Sequence, residues 1–119
     1  MAPTSPTSPR RKLGDHGERV AARWYRSRGY RVIDRNGRCR YGELDLVLAK
    51  GDELVFCEVK TRSSRRFGHP AEHVTRAKQA RIRGLSMRWM EASGVRARYL
   101  RFDVAAVEGA AVEVIQGAF

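Results

Sequence analysis

The stretch GELDLVLAKGDELVFCEVKTR, residues 42 to 62, leaves the chain little choice of local structure. Apolar residues recur at every second position on both sides of Gly51-Asp52, the period of a β-strand. Glycine at the first central position is what a two-residue type II′ turn requires, so Gly51-Asp52 predicts a tight hairpin. Lys50 then faces Glu53, and the same register sets Asp45 opposite Glu58 and Glu43 opposite Lys60. Because side chains alternate along a strand, Glu43, Asp45, Glu58 and Lys60 share one face. Leu44, Leu46, Leu48, Val55, Cys57 and Val59 take the other, an apolar set fit for a core.

Two carboxylates directly opposite on neighbouring strands repel and weaken the pairing. Their Cβ atoms stand only ~5 Å apart, close enough for both to bind one cation. A hard divalent ion such as Mg²⁺ accepts one or two carboxylates and keeps several waters, and the Val59 carbonyl offers a further oxygen. Lys60 would then lie beside the ion, placed to orient a water or to steady charge on a phosphorane-like transition state. The competing reading is a solvated strand face on which Glu43 and Lys60 form an ordinary ion pair. The hairpin alone leaves both open, and a one-residue slip would send Asp45 away from Glu58.

The rest of the chain supplies a helix before this hairpin and a helix and two strands after it. Residues 1 to 11 contain three of the four prolines and no apolar period, which predicts a disordered tail ahead of a single domain over 12–119. Leu13, Gly17, Val20, Ala21 and Trp24 fall on one helical stripe that Gly29 can stop. Tyr30, Val32 and Ile33 suggest a short strand ended by the turn-prone Asn36-Gly37. A second helix is expected from the N-cap Thr75 to Gly94, burying Ile82, Leu85 and Trp89. Residues 98 to 107 alternate Leu100, Phe102 and Val104 with Arg101 and Asp103, a strand, and a last strand spans 111 to 116. The first three strands can form an antiparallel meander and the second helix a crossover to a parallel fourth. The fold class is therefore α/β, a small mixed sheet flanked by helices.

Charge narrows the partner. The chain carries 24 basic residues against 13 acidic ones, a net +11, and only Lys12, Lys50, Lys60 and Lys78 among the basic residues are lysine. A surplus of planar guanidinium groups suits phosphate oxygens, so nucleic acid is the expected partner. From Lys60 to Arg88 nine basic residues face Glu72 alone, and Arg62, Arg65, Arg66, Lys78 and Arg81 are the candidates for holding a phosphate backbone. Phe67 is the aromatic expected to touch DNA, whereas Trp24, Tyr25 and Trp89 sit at helical core positions. Cys39 and Cys57 form no disulfide framework, and with His69 and His73 they lack the paired spacing of a zinc site. No apolar run reaches the length of a membrane span, which predicts a cytoplasmic protein with no membrane partner.

At this point the residues match a known pattern. An acid on one strand followed by E-V-K on the next resembles the D…(D/E)-x-K signature of the PD-(D/E)XK nuclease superfamily. GDHGERVAARWYRSRGY, GELDLVLAKGDELVFCEVKTR, FGHPAEHVTRAK and RFDVAAVEG resemble, in this order, the YraN family of small bacterial proteins, related in fold to archaeal Holliday junction resolvases. The resemblance covers about residues 12 to 119 and implies a restriction-endonuclease-like αβββαβ core. It further implies a Mg²⁺- or Mn²⁺-dependent endonuclease acting on DNA, branched DNA included, with Asp45 and Glu58 as metal ligands, Glu18 as an acid brought to the metal from the first helix, and Lys60 as the lysine of E-x-K. The proline of the superfamily name is missing, the residues before Asp45 being Gly42, Glu43 and Leu44. Glu18 also has a purely local alternative, a capping box with Asp15. Cleavage in the manner of a resolvase would require two sites and hence a homodimer. Two other functions stay open: a nucleic-acid-binding accessory module with a vestigial metal site, and an interaction protein whose basic face meets an acidic partner.

Overall fold

At the hairpin turn Gly51 has φ +58°, while Asn36 is the only non-glycine with positive φ among the described residues, so Gly51-Asp52 has the sign pattern of a type II′ turn. The computed structural model describes residues 9–39, 42–62 and 74–119. Along the chain come helix α1 (Pro9–Arg26), strands β1 (Arg31–Cys39), β2 (Gly42–Lys50) and β3 (Glu53–Arg62), helix α2 (Arg76–Ser93), and strands β4 (Tyr99–Glu108) and β5 (Ala111–Ile115). The strands form one sheet in the order β1-β2-β3-β4-β5. All neighbours are antiparallel except β3 and β4, which run parallel with α2 as the connection between them. This is the mixed α/β sheet expected from the sequence, and it is compatible with a restriction-endonuclease-like core.

The sheet is covered on both faces. Against one, α1 buries Ala21, Ala22 and Tyr25 on Leu46, Leu48, Val55, Cys57, Ala105 and Val107. Against the other, α2 buries Ile82 and Leu85 on Val47, Ala49, Leu54, Phe56, Phe102 and Val104. A sheet sandwiched in this way needs apolar residues at successive positions, which is why β3 reads Leu54-Val55-Phe56-Cys57 without a polar face. Helix α2 has the expected ends. The Thr75 side chain accepts the Lys78 backbone N–H, and Gly94, at φ +73°, closes the last turn on the Met90 carbonyl.

Three expectations are corrected. Helix α1 begins at Pro9 rather than near Leu13, so residues 9–11 are helical; proline is at home in the first helical position, where its missing N–H costs nothing. Residues 1–8 lie outside the described residues. Strand β1 does not end at Asn36-Gly37: it continues to Cys39, with Asn36 in the left-handed region at φ +53°, a conformation asparagine tolerates. Asp103, placed by alternation on a polar face, is fully buried. It accepts from the Tyr25 hydroxyl, from Nε and Nη2 of Arg101 at 2.8 and 2.9 Å, and from the Gly117 N–H at 3.0 Å. Packing of α1 over β4 turned that face inward, and the donors around the buried carboxylate satisfy its hydrogen bonds.

Candidate metal centre

The pairing of β2 with β3 runs from Lys50↔Glu53 to Leu46↔Cys57, the register expected from the turn. Asp45 stands just past the last of these pairs, and its Oδ2 accepts the Val59 backbone N–H at 2.8 Å. A side chain thus takes the place of a strand carbonyl where the two strands part. On the other flank of β2 the register is unbroken from Arg35↔Leu46 to Gly37↔Leu44, with left-handed Asn36 between them, and the register shift lies earlier, between Val32 and Asp34. Leu44 belongs to the core cluster of Val47 and Ala49, whereas Leu46 belongs to the opposite one. The alternation of β2 therefore changes phase across Asp45, as a local irregularity does when it re-aims a side chain.

This phase change decides which acids meet. Carboxylate oxygens of Glu18, Glu43 and Asp45 lie within 4.8 Å of one another. Glu18 comes from the interior of α1, two turns past Pro9, so the capping-box alternative falls: Asp15 is not at a helix start. Gly17 lets the helix approach. A Cβ there would lie 1.9 Å from the Thr61 Oγ1 and 3.2 Å from the Val59 Cγ1, so only glycine permits α1 to rest this closely on β3. Glu18 is consequently 6% exposed, and its Oε2 is buried with no hydrogen-bond partner, the Arg35 Nη2 standing 3.8 Å away.

Glu58 is placed differently. Its Oε1 is 2.7 Å from the Lys78 Nζ on α2 and 3.6 Å from the Lys60 Nζ. The four residues expected to share one face are thus divided. Glu43 joins Glu18, while Glu58 and Lys60 meet α2, and Asp45 stands between the two groups. Glu43 was read from sequence only as a partner for Lys60; its signal as a centre acid was its position two residues from Asp45 on the same strand.

The electrostatics follow from this crowding. Burial, then the nearby Glu58 charge, pushes the Asp45 carboxyl up to about 8, against the pull of the Val59 N–H. Burial also raises Glu18, with the Asn36 side chain and Arg35 pulling the other way. Lys60 is lowered by burial and by its hydrogen bond with Lys78 and that residue's charge. For Lys78 burial acts downward too, but hydrogen bonds to Glu58 and Lys60 and the Glu58 charge outweigh it, and its pKa rises. Cys57, free and buried, is raised by burial, which makes it the small core residue expected rather than a reactive thiol.

Of the phosphate-binding candidates, Arg81 is exposed on α2, Arg62 is half-buried at the end of β3, and Lys78 points into the centre rather than outward. Gln79 is tied to the Val74 carbonyl at 3.1 Å. Arg65, Arg66, Phe67, His69 and His73 lie outside the described residues. No helix among the described residues is long and apolar enough to cross a membrane.

Residues 17–107 match the model of the uncharacterised protein family UPF0102. A UPF0102 protein of Beutenbergia cavernae is 56% identical over 95 residues, 80% of each chain. One of Moorella thermoacetica is 46% identical over 119 residues, 95% of this chain and 99% of the relative, and one of Rhodococcus jostii is 53% identical over 95 residues, 80% of each. The chain belongs to the UPF0102 family, the YraN family that its four sequence stretches resemble.

Proposed function

We propose that the chain is a cytoplasmic, Mg²⁺- or Mn²⁺-dependent endonuclease that hydrolyses DNA phosphodiesters, branched DNA included. The observation that carries this reading is the convergence of Glu18, Glu43 and Asp45 beside the Glu58–Lys60 pair, at the parting of two strands, in a chain of net charge +11. A buried Glu18 crowded by half-buried Asp45 and by Glu43 pays desolvation and repulsion that a bound cation would relieve. An all-oxygen donor set, with one buried oxygen lacking any hydrogen bond, fits a hard divalent cation. Such an ion, when bound, neutralises charge on a phosphate oxygen and acidifies a coordinated water.

The protein groups have separable tasks. Asp45, Glu18 and Glu58 make up the acidic centre that binds and orients the ion. Lys60, its Nζ 3.6 Å from the Glu58 Oε1, is placed to orient the attacking water and to steady charge on the transition state. Arg62 and Arg81, with Arg65 and Arg66, grip the phosphate backbone on the α2 side of the centre. Binding of that kind weakens steeply with salt because neutralised phosphates release counterions. Action on a four-way junction would bring two copies together, one per cut.

The test is cleavage of labelled four-way-junction, single-stranded and duplex DNA by wild type and Asp45→Asn, with Mg²⁺ or Mn²⁺ and with chelator. Metal-dependent cutting that falls at least ~100-fold in the variant supports the reading, since removing one such group typically costs that much. Salt-sensitive DNA binding with no cutting by either protein would replace it with the accessory-module reading.

A further inference from the structure

Away from the acidic centre, α1 carries side chains that the proposed chemistry does not use. His16, Arg19, Arg23 and Ser27 recur at helical spacing and form one stripe along the helix. Val20 and Trp24 form the stripe beside it, packed towards β5. Between these residues and Ala110 and Val112 lies an open, mainly apolar cleft of about 390 Å³, at the low end of the ~300–1,000 Å³ usual for small-ligand sites. Its walls are fastened. The His16 Nε2 donates to the Gly109 carbonyl at 2.7 Å, which ties α1 to the turn between β4 and β5. The Trp24 ring meets Tyr25 edge-on at 4.9 Å and lies under the Arg28 guanidinium at 3.8 Å. The Trp24 carbonyl, at the negative end of the helix, accepts from the Ser27 hydroxyl at 2.7 Å and from Arg28 Nη1 at 3.3 Å.

Charge selects the occupant. Arg19 and Arg23 are exposed, and neither has an ion-pair partner among the described residues. Four residues apart on a helix, they repel each other. The helix dipole favours Arg23 in the last turn, but Arg19 lies too far back to benefit. No acid lines the cleft. Glu108 and Glu113 alternate with Val107, Val112 and Val114, which pack towards α1, so the two acids leave the sheet on its other face. Guanidinium groups at the rim suit phosphate oxygens, and the apolar wall behind them suits a flat, uncharged ring. A nucleotide supplies both. In a duplex the bases are stacked away and only phosphates can reach the rim, whereas an unpaired strand can also lay a base into the cleft. We infer that the cleft between α1 and β5 holds an unpaired nucleotide of single-stranded nucleic acid, with its phosphates on Arg19 and Arg23 and its base against Val20, Trp24 and Val112. This rests on the reading of the chain as a nucleic-acid-binding protein and adds a contact on a different face of α1 from Glu18. A substrate with an unpaired arm then has a place for that arm on α1, apart from the arginines on the α2 side.

The test is binding of labelled oligothymidylate, and of a duplex of equal length, by fluorescence anisotropy in chelator, where no metal-dependent cutting intervenes. Wild type is compared with Arg19→Ala, Arg23→Ala, Ala110→Glu and Arg26→Ala, the last removing an equal charge from an exposed position of α1 outside the cleft. All four positions are exposed, so the variants keep the core intact. Arg19→Ala and Arg23→Ala should each weaken single-strand binding ~5-fold or more and flatten its salt dependence by ~0.7 in log–log slope, one phosphate contact apiece. Ala110→Glu, which sets a carboxylate in the cleft wall, should weaken single-strand binding too. Duplex binding by these three, and single-strand binding by Arg26→Ala, should change less than ~2-fold, the phosphates being held elsewhere. Single-strand affinity unchanged in Arg19→Ala and Arg23→Ala overturns the cleft and leaves the nuclease reading standing. So do equal losses on single strand and duplex, or an Arg26→Ala loss that matches Arg19→Ala, because either describes a diffuse basic surface. Wild type that binds neither DNA at low salt overturns the cleft and the nucleic-acid reading together.

Discussion

The Lys78 Nζ lies 2.7 Å from the Glu58 Oε1, joining the first turn of α2 to the strand that carries the E-x-K motif. Lys78 is also the residue whose backbone N–H is received by the Thr75 cap, so the start of α2 is fastened at two points. The helix that connects two parallel strands is thereby registered against the centre. Neither Lys78 nor Glu58 is freely solvated, which makes their bond worth more than a surface pair.

Lys78→Met should therefore lower metal-free stability by about 1.5–3 kcal/mol, the usual worth of a hydrogen bond to a charged group. The same change frees Glu58 and removes a cation, so Mn²⁺ affinity should rise while stability falls. Urea denaturation and calorimetry on one preparation read both. A variant that loses stability and Mn²⁺ affinity together would mean that Lys78 organises the ion site instead of competing with it.

The raised Asp45 carboxyl makes metal-free stability depend on pH in an unusual direction. Its folded pKa, about 8, exceeds the unfolded value near 4, so the folded state holds the proton more tightly between those limits. Stability from this group is full below the unfolded pKa and is lost as pH rises towards 8, with a slope of at most ~1.4 kcal/mol per pH unit. Glu18, also raised, acts in the same sense. Urea midpoints from pH 5 to 8.5 in chelator should fall for wild type and fall less for Asp45→Asn. Saturating Mn²⁺ should offset the decline, because the ion binds the ionised form. A wild-type profile no steeper than that of Asp45→Asn would contradict the geometry that crowds these acids.

Gly17→Ala places a methyl 1.9 Å from the Thr61 Oγ1, a distance no packing tolerates. Helix α1 must then lift from β3, at an overpacking cost of ~1–3 kcal/mol, and Glu18 retreats with it. Thr61→Ala removes the nearest atom and should recover part of the loss in the double variant. Equal stability of Gly17→Ala and wild type would show that the close approach is not needed.

Asp103 anchors α1 to β4 through Tyr25 and holds Arg101, which also binds Glu53 at 2.7 Å. Removing one partner from a buried ionic group is costly, so Asp103→Ala should destabilise by ~3–5 kcal/mol. Tyr25→Phe, which deletes one donor to a charged acceptor, should cost ~1.5–3 kcal/mol. Neither residue belongs to the centre, so Tyr25→Phe should bind Mn²⁺ as wild type does. A Tyr25→Phe variant with impaired Mn²⁺ binding but unchanged stability would reverse that assignment.

Local signals were enough for much of this architecture. Gly51-Asp52 determined the hairpin and its Lys50–Glu53 register, Thr75 and Gly94 marked the two ends of α2, and the long segment between β3 and β4 had room for the crossover that a parallel pair needs. Asp45, Glu58 and Lys60 could be named because a carboxylate pair on a strand is anomalous before any packing is known. What the tertiary structure decided lies at the margins of regular pairing. Past Leu46 and Cys57 the β2–β3 pairing that the hairpin turn dictates has ended, so the packing of α1 and the left-handed Asn36 turned Glu43 towards Glu18, while α2 drew Glu58 to Lys78. Asp103 was misplaced for a related reason: alternation tells which residues share a face, but only the helix laid across that face tells whether it meets water. Turn chemistry and periodicity act over a few residues and are written in order along the chain, whereas the meeting of Glu18 with Asp45 depends on how far a helix can sink onto a sheet, which here rests on the missing side chain of Gly17.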